Sequence, residues 1–259
     1  MSTILFDKIV FGPIHSRRLG VSLGMNLLPV DGKLCSFDCI YCECGLNGER
    51  RTHTKLPVRE EVKAALEEKL SAMQAEGITP DVITFAGNGE PTMHPEFEGI
   101  IEDTIAIRDH FFPNAKIAVL SNSTMLHKEG VFRALNKIED NILKLDSVLD
   151  SRIRQLNVPN SPSFTFDRLL EQLCRFKGNL IIQTMFLQGE LNGEPVDNTT
   201  EVEINGWLEA LKKIKPKQVM IYTIDRETPV KNLKKVTKEE LEAIADRARR
   251  EGFDVTVSA

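Results

Sequence analysis

From residue 55 onward the chain alternates stretches of helical period with short apolar runs, and this alternation constrains the fold more than any other feature. Val58, Val62, Leu66, Leu70 and Met73 recur at four- and three-residue steps, the stripe of an amphipathic helix. Gly77 ends that stripe, and Asp81-Val82-Ile83-Thr84-Phe85-Ala86 reads as a buried strand stopping at Gly87. Helical faces then follow on Phe97/Ile100/Ile101/Ile105, Val131/Leu135/Ile138, Phe166/Leu169/Leu170/Leu173 and Trp207/Leu208/Leu211/Ile214. Between them lie strand-like runs starting at Lys116, Ile142, Leu180 and Gln218. Thr237-Lys238-Glu239-Glu240 has the form of a capping box opening a last helix, with a final strand expected from Phe253 to Val257. Repeated strand–helix units imply right-handed crossovers and a parallel sheet. About six such units after an N-terminal strand near Val21 to Leu27 predict an α/β fold, a partial (β/α)6 TIM-like barrel forming one domain over residues 1–259.

In such a fold the functional groups gather where strands end. Gly87-Asn88-Gly89-Glu90, Ser121-Asn122-Ser123, Asp146-Ser147, Gln188-Gly189 and Asp225-Arg226 all follow apolar runs, and together they predict a ligand-binding rim. Asn157 to Pro162 and Asn192 to Thr200 read as polar loops, usable as lids or as surface connections.

Composition supports a full core, with 41% hydrophobic and 27% charged residues over 259 positions. A net charge of −5 argues against a wide basic face for nucleic acid, making such a partner doubtful. No apolar run nears the ~18 residues needed to span a bilayer. Met1 to Lys8 lacks a basic region followed by an apolar stretch, so the expectation is a cytoplasmic protein without membrane partners.

Of five cysteines, Cys35, Cys39, Cys42 and Cys44 fall within ten residues, the fifth being Cys174. Clustered thiols in a chain with its own core indicate metal or redox chemistry rather than a disulfide framework. Cys35, Cys39 and Cys42 form a C-x3-C-x2-C loop, residues 35–42. Three soft thiolates from one loop suit three irons of a [4Fe–4S] cube, leaving the fourth iron open. A structural zinc site completed by Cys44 or His53 is the alternative, and a redox pair of Cys39 and Cys42 leaves Cys35 without a role.

The triplet, with Tyr41 just before its last cysteine and a βα pattern following, resembles the radical S-adenosylmethionine (SAM) superfamily. The resemblance implies a [4Fe–4S] cluster on Cys35, Cys39 and Cys42 whose open iron is chelated by the amino and carboxylate groups of SAM. An electron from the reduced cluster then cleaves the C–S bond, and the 5′-deoxyadenosyl radical abstracts hydrogen from a substrate. It also implies an electron donor such as flavodoxin or ferredoxin. Gly87-Asn88-Gly89-Glu90 resembles the superfamily's Gly-Gly-Glu motif with Asn88 as an extra residue, the glycines admitting close backbone approach and Glu90 accepting from the methionine ammonium. Asn122, Ser123, Asp146 and Ser147 resemble positions contacting ribose and carboxylate, though each equally suits a helix cap. Tyr41 resembles the residue whose backbone meets the adenine, while Gln183 and Met185 resemble adenine-side positions with core packing as their simpler reading.

Phe11 to Gly20, carrying Ser16-Arg17-Arg18-Leu19-Gly20, followed by Ser22-Leu23-Gly24-Met25-Asn26, is similar to Fe–S oxidoreductases related to the wyosine-type tRNA synthases. Those synthases hold a second cluster on upstream cysteines, and residues 1 to 34 contain none. Arg17 and Arg18 suit a phosphate or carboxylate, or plain surface ion pairs. A glycyl-radical-enzyme activase, a tRNA-modifying enzyme and a non-enzymatic zinc or nucleic-acid module are the other readings, and Cys44 reads as a spectator.

Overall fold

The computed structural model describes residues 4–16, 19–49 and 55–259. Arg17, Arg18 and His53 therefore lie outside the described residues. Its main sheet has eight strands in the order β1 (Val10–Ser16), β2 (Gly20–Met25), β3 (Val82–Phe85), β4 (Lys116–Ser121), β5 (Asp140–Lys144), β6 (Ile181–Met185), β9 (Gln218–Tyr222) and β11 (Val255–Ser258). Only the β1–β2 pairing is antiparallel. Each new parallel strand is laid beside the previous one, and the order never reverses as it would at the switch point of a doubly wound sheet. This is the progression of a barrel left unclosed, since β1 and β11 share no pairing.

The crossovers are α1 (Arg59–Ala75), α2 (Phe97–Phe111), α3 (Glu129–Asn136), the pair α4 (Asp150–Leu156) and α5 (Phe166–Cys174), then α6 (Glu201–Ile214) and α7 (Lys238–Arg250). Their apolar stripes face the sheet: Val62, Leu66, Leu70 and Met73 of α1 are all buried. The capping box opens α7 as expected, with Thr237 N donating to Glu240 Oε2 at 2.8 Å and Glu240 N returning to Thr237 Oγ1 at 3.2 Å. Trp207 is buried against Phe186 and donates its indole N–H to Thr184 Oγ1 at 3.0 Å, which satisfies the ring's one polar group.

Two features depart from the sequence pattern. Strand β1 holds Gly12 and Pro13, residues that read as non-strand, yet the edge of a sheet tolerates a missing N–H. Gln188 and Gly189 do not form a rim; they belong to β7 (Leu187–Leu191), which with β8 (Glu194–Asp197) and β10 (Leu233–Lys235) makes a second, antiparallel sheet. Part of the expected Asn192–Thr200 loop is thus strand. Among the described residues no helix is long and apolar enough to cross a membrane.

Candidate functional site

The loop carrying the cysteine triplet leaves β2 at the carboxyl end of the sheet and is held by side chains placed inside it. Lys33 is buried and donates to Gly45 O at 2.9 Å and Asp38 Oδ1 at 3.1 Å. Asp38 Oδ1 also accepts from Asn47 N at 2.7 Å, while the Asn47 amide accepts from Cys35 N and donates to the carbonyls of Cys35 and Phe37. These bonds close a loop that has no helix or ladder to satisfy its backbone. From outside, Asp38 N and Ile40 N donate to Asn157 O and Leu156 O, and Asn160 N donates to Ser36 O. The Asn157–Pro162 segment is therefore a clamp on the cysteine loop rather than a free lid.

Cys35, Cys39 and Cys42 all face one cavity of about 280 Å³. Burial pushes the Cys35 thiol up to about 12, with Glu90 adding to it, and burial also raises Cys39 against the pull of Lys144. Cys42 goes the other way, to about 6, because the Cys44 thiol hydrogen-bonds its sulfur and Lys33 lies beside it. One thiolate among buried thiols is a donor set that a thiophilic group would complete by deprotonating the rest. Among the described residues, no three His, Cys, Asp or Glu side chains are gathered tightly enough for one metal ion. Three thiols around a common hollow are a soft donor set that suits an inorganic body such as a cube of iron and sulfide.

The remaining walls come from strand ends. Gly87, Gly89 and Glu90 follow β3, Asn122 follows β4, Lys144 ends β5, Gln183 and Met185 lie on β6, and Tyr222 ends β9. Gly89 has φ +139°, and a Cβ there would stand 1.9 Å from Leu34 O, so glycine is what lets β3's tip pair with the cysteine loop. Glu90 is buried; its Oε1 accepts from Thr92 N at 3.1 Å, from the Thr92 hydroxyl and from Ser121 Oγ at 2.9 Å. Among the described residues its Oε2 accepts from Asn122 N alone, at 2.6 Å, so this cavity-lining carboxyl keeps acceptor capacity there. Burial pushes the Glu90 carboxyl up, against the hydrogen bonds that pull it down. Asn122 donates through Nδ2 to Ser36 Oγ at 2.9 Å and to Cys35 Sγ at 3.4 Å, tying β4 to the first thiol.

A buried ionic knot forms the opposite wall. Asp146 Oδ2 accepts from the Tyr41 hydroxyl, from Asn157 Nδ2 at 2.7 Å and from Lys144 Nζ at 3.3 Å, while its Oδ1 accepts from Met185 N at 2.9 Å. Lys144 also donates to Tyr41 Oη at 2.8 Å. Burial works against the Lys144 ammonium, but Asp146, Tyr222 and Cys39 together outweigh it and raise the group; burial and then Asp146 push the Tyr41 phenol upward.

Four of the residues expected to contact a ligand do not line this cavity. Asn88 is wholly buried away from the cavity, its amide bonded to Phe6 N, Phe6 O and Pro29 O, so the extra residue of the glycine motif is a structural clamp. The Ser123 hydroxyl donates to Lys144 O at 3.2 Å, and Ser147 Oγ donates to Glu203 at 2.9 Å; both back the site rather than line it. Asp146 stands behind the cavity wall, bonded to its residues Lys144, Tyr41 and Met185. Gln183 and Met185, by contrast, line the cavity rather than serving only as core. Lys144 was missed as a wall residue, although a lysine inside the apolar run Ile142-Leu143-Lys144-Leu145 is itself a signal. Cys44 also lines the hollow, donating to Gly87 O at 3.4 Å. A larger hollow of about 670 Å³ opens around Asp81, Lys116 and Asp140 at the far ends of the strands and contains none of the thiols.

A thiol triplet at the carboxyl mouth of an unclosed βα barrel defines the class. The Radical SAM superfamily matches residues 30–151. A UPF0026 protein of Methanocaldococcus jannaschii is 33% identical over 236 residues, 87% of this chain and 66% of that protein. A UPF0026 protein of Synechocystis is 30% identical over 230 residues, 85% of this chain and 77% of that protein. The chain belongs to the UPF0026 proteins, and its likeness to the radical SAM superfamily lies in residues 30–151. Streptococcus suis SuiB, in a crystal structure bound to S-adenosylmethionine, superposes with a TM-score of 0.63 over 88% of this chain and 49% of that one; at 14% identity the fold is what the two share. The chain thus spans 66% of the M. jannaschii relative and about half of SuiB.

Proposed function

We propose that this protein is an enzyme that holds a [4Fe–4S] cluster on Cys35, Cys39 and Cys42, binds SAM beside it, and abstracts hydrogen from a substrate after receiving an electron from a flavodoxin- or ferredoxin-type donor. When bound, cluster and SAM together supply one-electron cleavage of the C–S bond and a 5′-deoxyadenosyl radical. The observation that carries this reading is the convergence of three thiols and the open acceptor on Glu90 Oε2 upon one cavity.

The chain's own contribution is placement and exclusion. Glu90 is fixed by four donors, so its remaining lone pair is aimed without further ordering and takes one N–H of the methionine ammonium. Asn122 holds the Cys35 sulfur in place. Phe37, Met185 and the Tyr41 ring keep water from the interior, and the Lys144 ammonium supplies a positive wall for the nucleoside's carboxylate, in balance with Asp146 behind it.

Anaerobic reconstitution with iron and sulfide, followed by reduction in the presence of SAM, tests the reading. It predicts a brown protein with about four irons per chain and production of 5′-deoxyadenosine. A colourless protein retaining stoichiometric zinc, or a reduced cluster that leaves SAM intact, overturns it.

A further inference from the structure

The side chain of Lys33 is only 2% exposed, although lysine is among the residues least often buried. An ammonium has three N–H bonds, and two of them go to Gly45 O at 2.9 Å and Asp38 Oδ1 at 3.1 Å, while the charge helps hold the nearby Cys42 thiol down. The charge therefore sits buried within the cysteine loop, fixed by Asp38 and Gly45. Lys33 acts on Cys42, Cys35 and Cys39 alike, with Asp38 as its balancing partner at 23% exposure. Other charges around the thiols include Lys144 and Asp146 beside Cys39, Glu90 beside Cys35, and the Arg226–Glu43 pair on the same cavity.

None of these contacts is needed merely to satisfy the cysteine loop's carbonyls, since a neutral donor would serve Gly45 O equally well. A buried cation in that position has a further consequence for whatever accepts an electron on the three sulfurs. A cluster that gains one electron gains one negative charge, and a fixed positive charge at short range in a medium of low polarity stabilises that state over the oxidised one.

We propose that Lys33 is a positioning and electrostatic residue that raises the reduction potential of the cluster held by Cys35, Cys39 and Cys42, and that Asp38 limits the rise. The inference rests on the cluster assignment proposed above. Lys33 touches neither SAM nor substrate on this account; it acts through the sulfurs and makes the one-electron reduction easier for the donor.

The test is a mediated redox titration of the anaerobically reconstituted full chain, with the reduced cluster followed by electron paramagnetic resonance. Lys33→Gln keeps an N–H donor but removes the charge. At the potential where half of the native clusters are reduced, its reduced-to-oxidised ratio is expected to fall at least tenfold, which for one electron is a shift of about 59 mV to more negative potential. Asp38→Asn is expected to shift the potential the opposite way. Equal potentials for the native protein and Lys33→Gln overturn the proposal, as do shifts of the same sign in both variants. If Lys33→Gln fails to retain a cluster, Asp38→Asn decides alone: a raised potential supports the proposal, and an unmoved one, or loss of the cluster there too, assigns the pair to holding the loop and overturns it. Native protein that takes up no iron–sulfur cluster defeats the proposed function instead, so the two failures are distinguishable.

Discussion

Replacing Gly89 with alanine tests how the sheet holds the cysteine loop. At φ +139° an alanine meets backbone strain of about 1–3 kcal/mol. Its Cβ would stand 1.9 Å from Leu34 O, a backbone atom that cannot rotate aside, so the bridge between Leu34 and Gly89 must open. That bridge consists of Leu34 N donating to Asn88 O at 2.9 Å and Glu90 N donating to Leu34 O at 3.2 Å. At about 1 kcal/mol net for each bond, the total is about 3–5 kcal/mol. Gly77→Ala is the control: its φ of +71° is also positive, but no atom lies within 4 Å of the added carbon, so only the left-handed penalty of about 1–2 kcal/mol applies. In urea, with a slope of about 2.5 kcal/mol/M, Gly89→Ala should lower the unfolding midpoint of the metal-free protein by about 1.5 M and Gly77→Ala by about 0.5 M. Iron retained after reconstitution should fall in the first variant and not in the second. Midpoints within about 0.3 M of each other would show that the Leu34 contact does not constrain position 89.

Other outcomes follow from the same contacts. Asp146→Asn leaves the Lys144 ammonium buried without its counter-charge and should cost about 3–5 kcal/mol at neutral pH. Because the folded state then favours the neutral amine, the loss should shrink as pH rises, and adding Lys144→Met should restore much of it in a double-mutant cycle. Cys39→Ala should abolish cluster binding while leaving the far-ultraviolet circular dichroism of the apo-protein unchanged; retained iron would remove Cys39 from the ligand set. Glu90→Gln should weaken SAM binding by calorimetry about tenfold or more while iron content holds, as expected for a charge-assisted bond. Burial raises the Glu203 carboxyl above its ordinary range, so native stability contains a term that is lost as pH rises through that range. Glu203→Gln removes the term, and its stability relative to the native protein should therefore be better at pH 7 than at pH 4, read by urea midpoints.

The sequence carried most of the scaffold because each element announces itself locally. The stripe Val62, Leu66, Leu70 and Met73 makes one helical face whatever it packs on, and Thr237 with Glu240 makes a cap within four residues. The second sheet was not legible, since Leu187–Leu191 continues the apolar run of β6 and its turn to antiparallel pairing depends on partners at Glu194–Asp197 and Leu233–Lys235. In the site, Cys35, Cys39, Cys42, Gly89, Glu90 and Asn122 were legible from spacing or likeness to a motif. Lys33, Asn47 and Asn157 were not, because a buried lysine or asparagine looks in sequence like any solvated one.

By itself the sequence determined most of the strand–helix units of the main sheet, their order, and that three thiols come from one short loop. Periodicity and spacing are properties of neighbours along the chain, and no distant contact is needed to read them. Only the tertiary structure decided which polar side chains after each strand face the cavity. Asn88 and Glu90 stand two residues apart in one motif, yet one is consumed by Phe6 and Pro29 while the other lines the cavity that the thiols share. That division follows from where buried donors and acceptors find partners, and those partners lie tens of residues away in the chain.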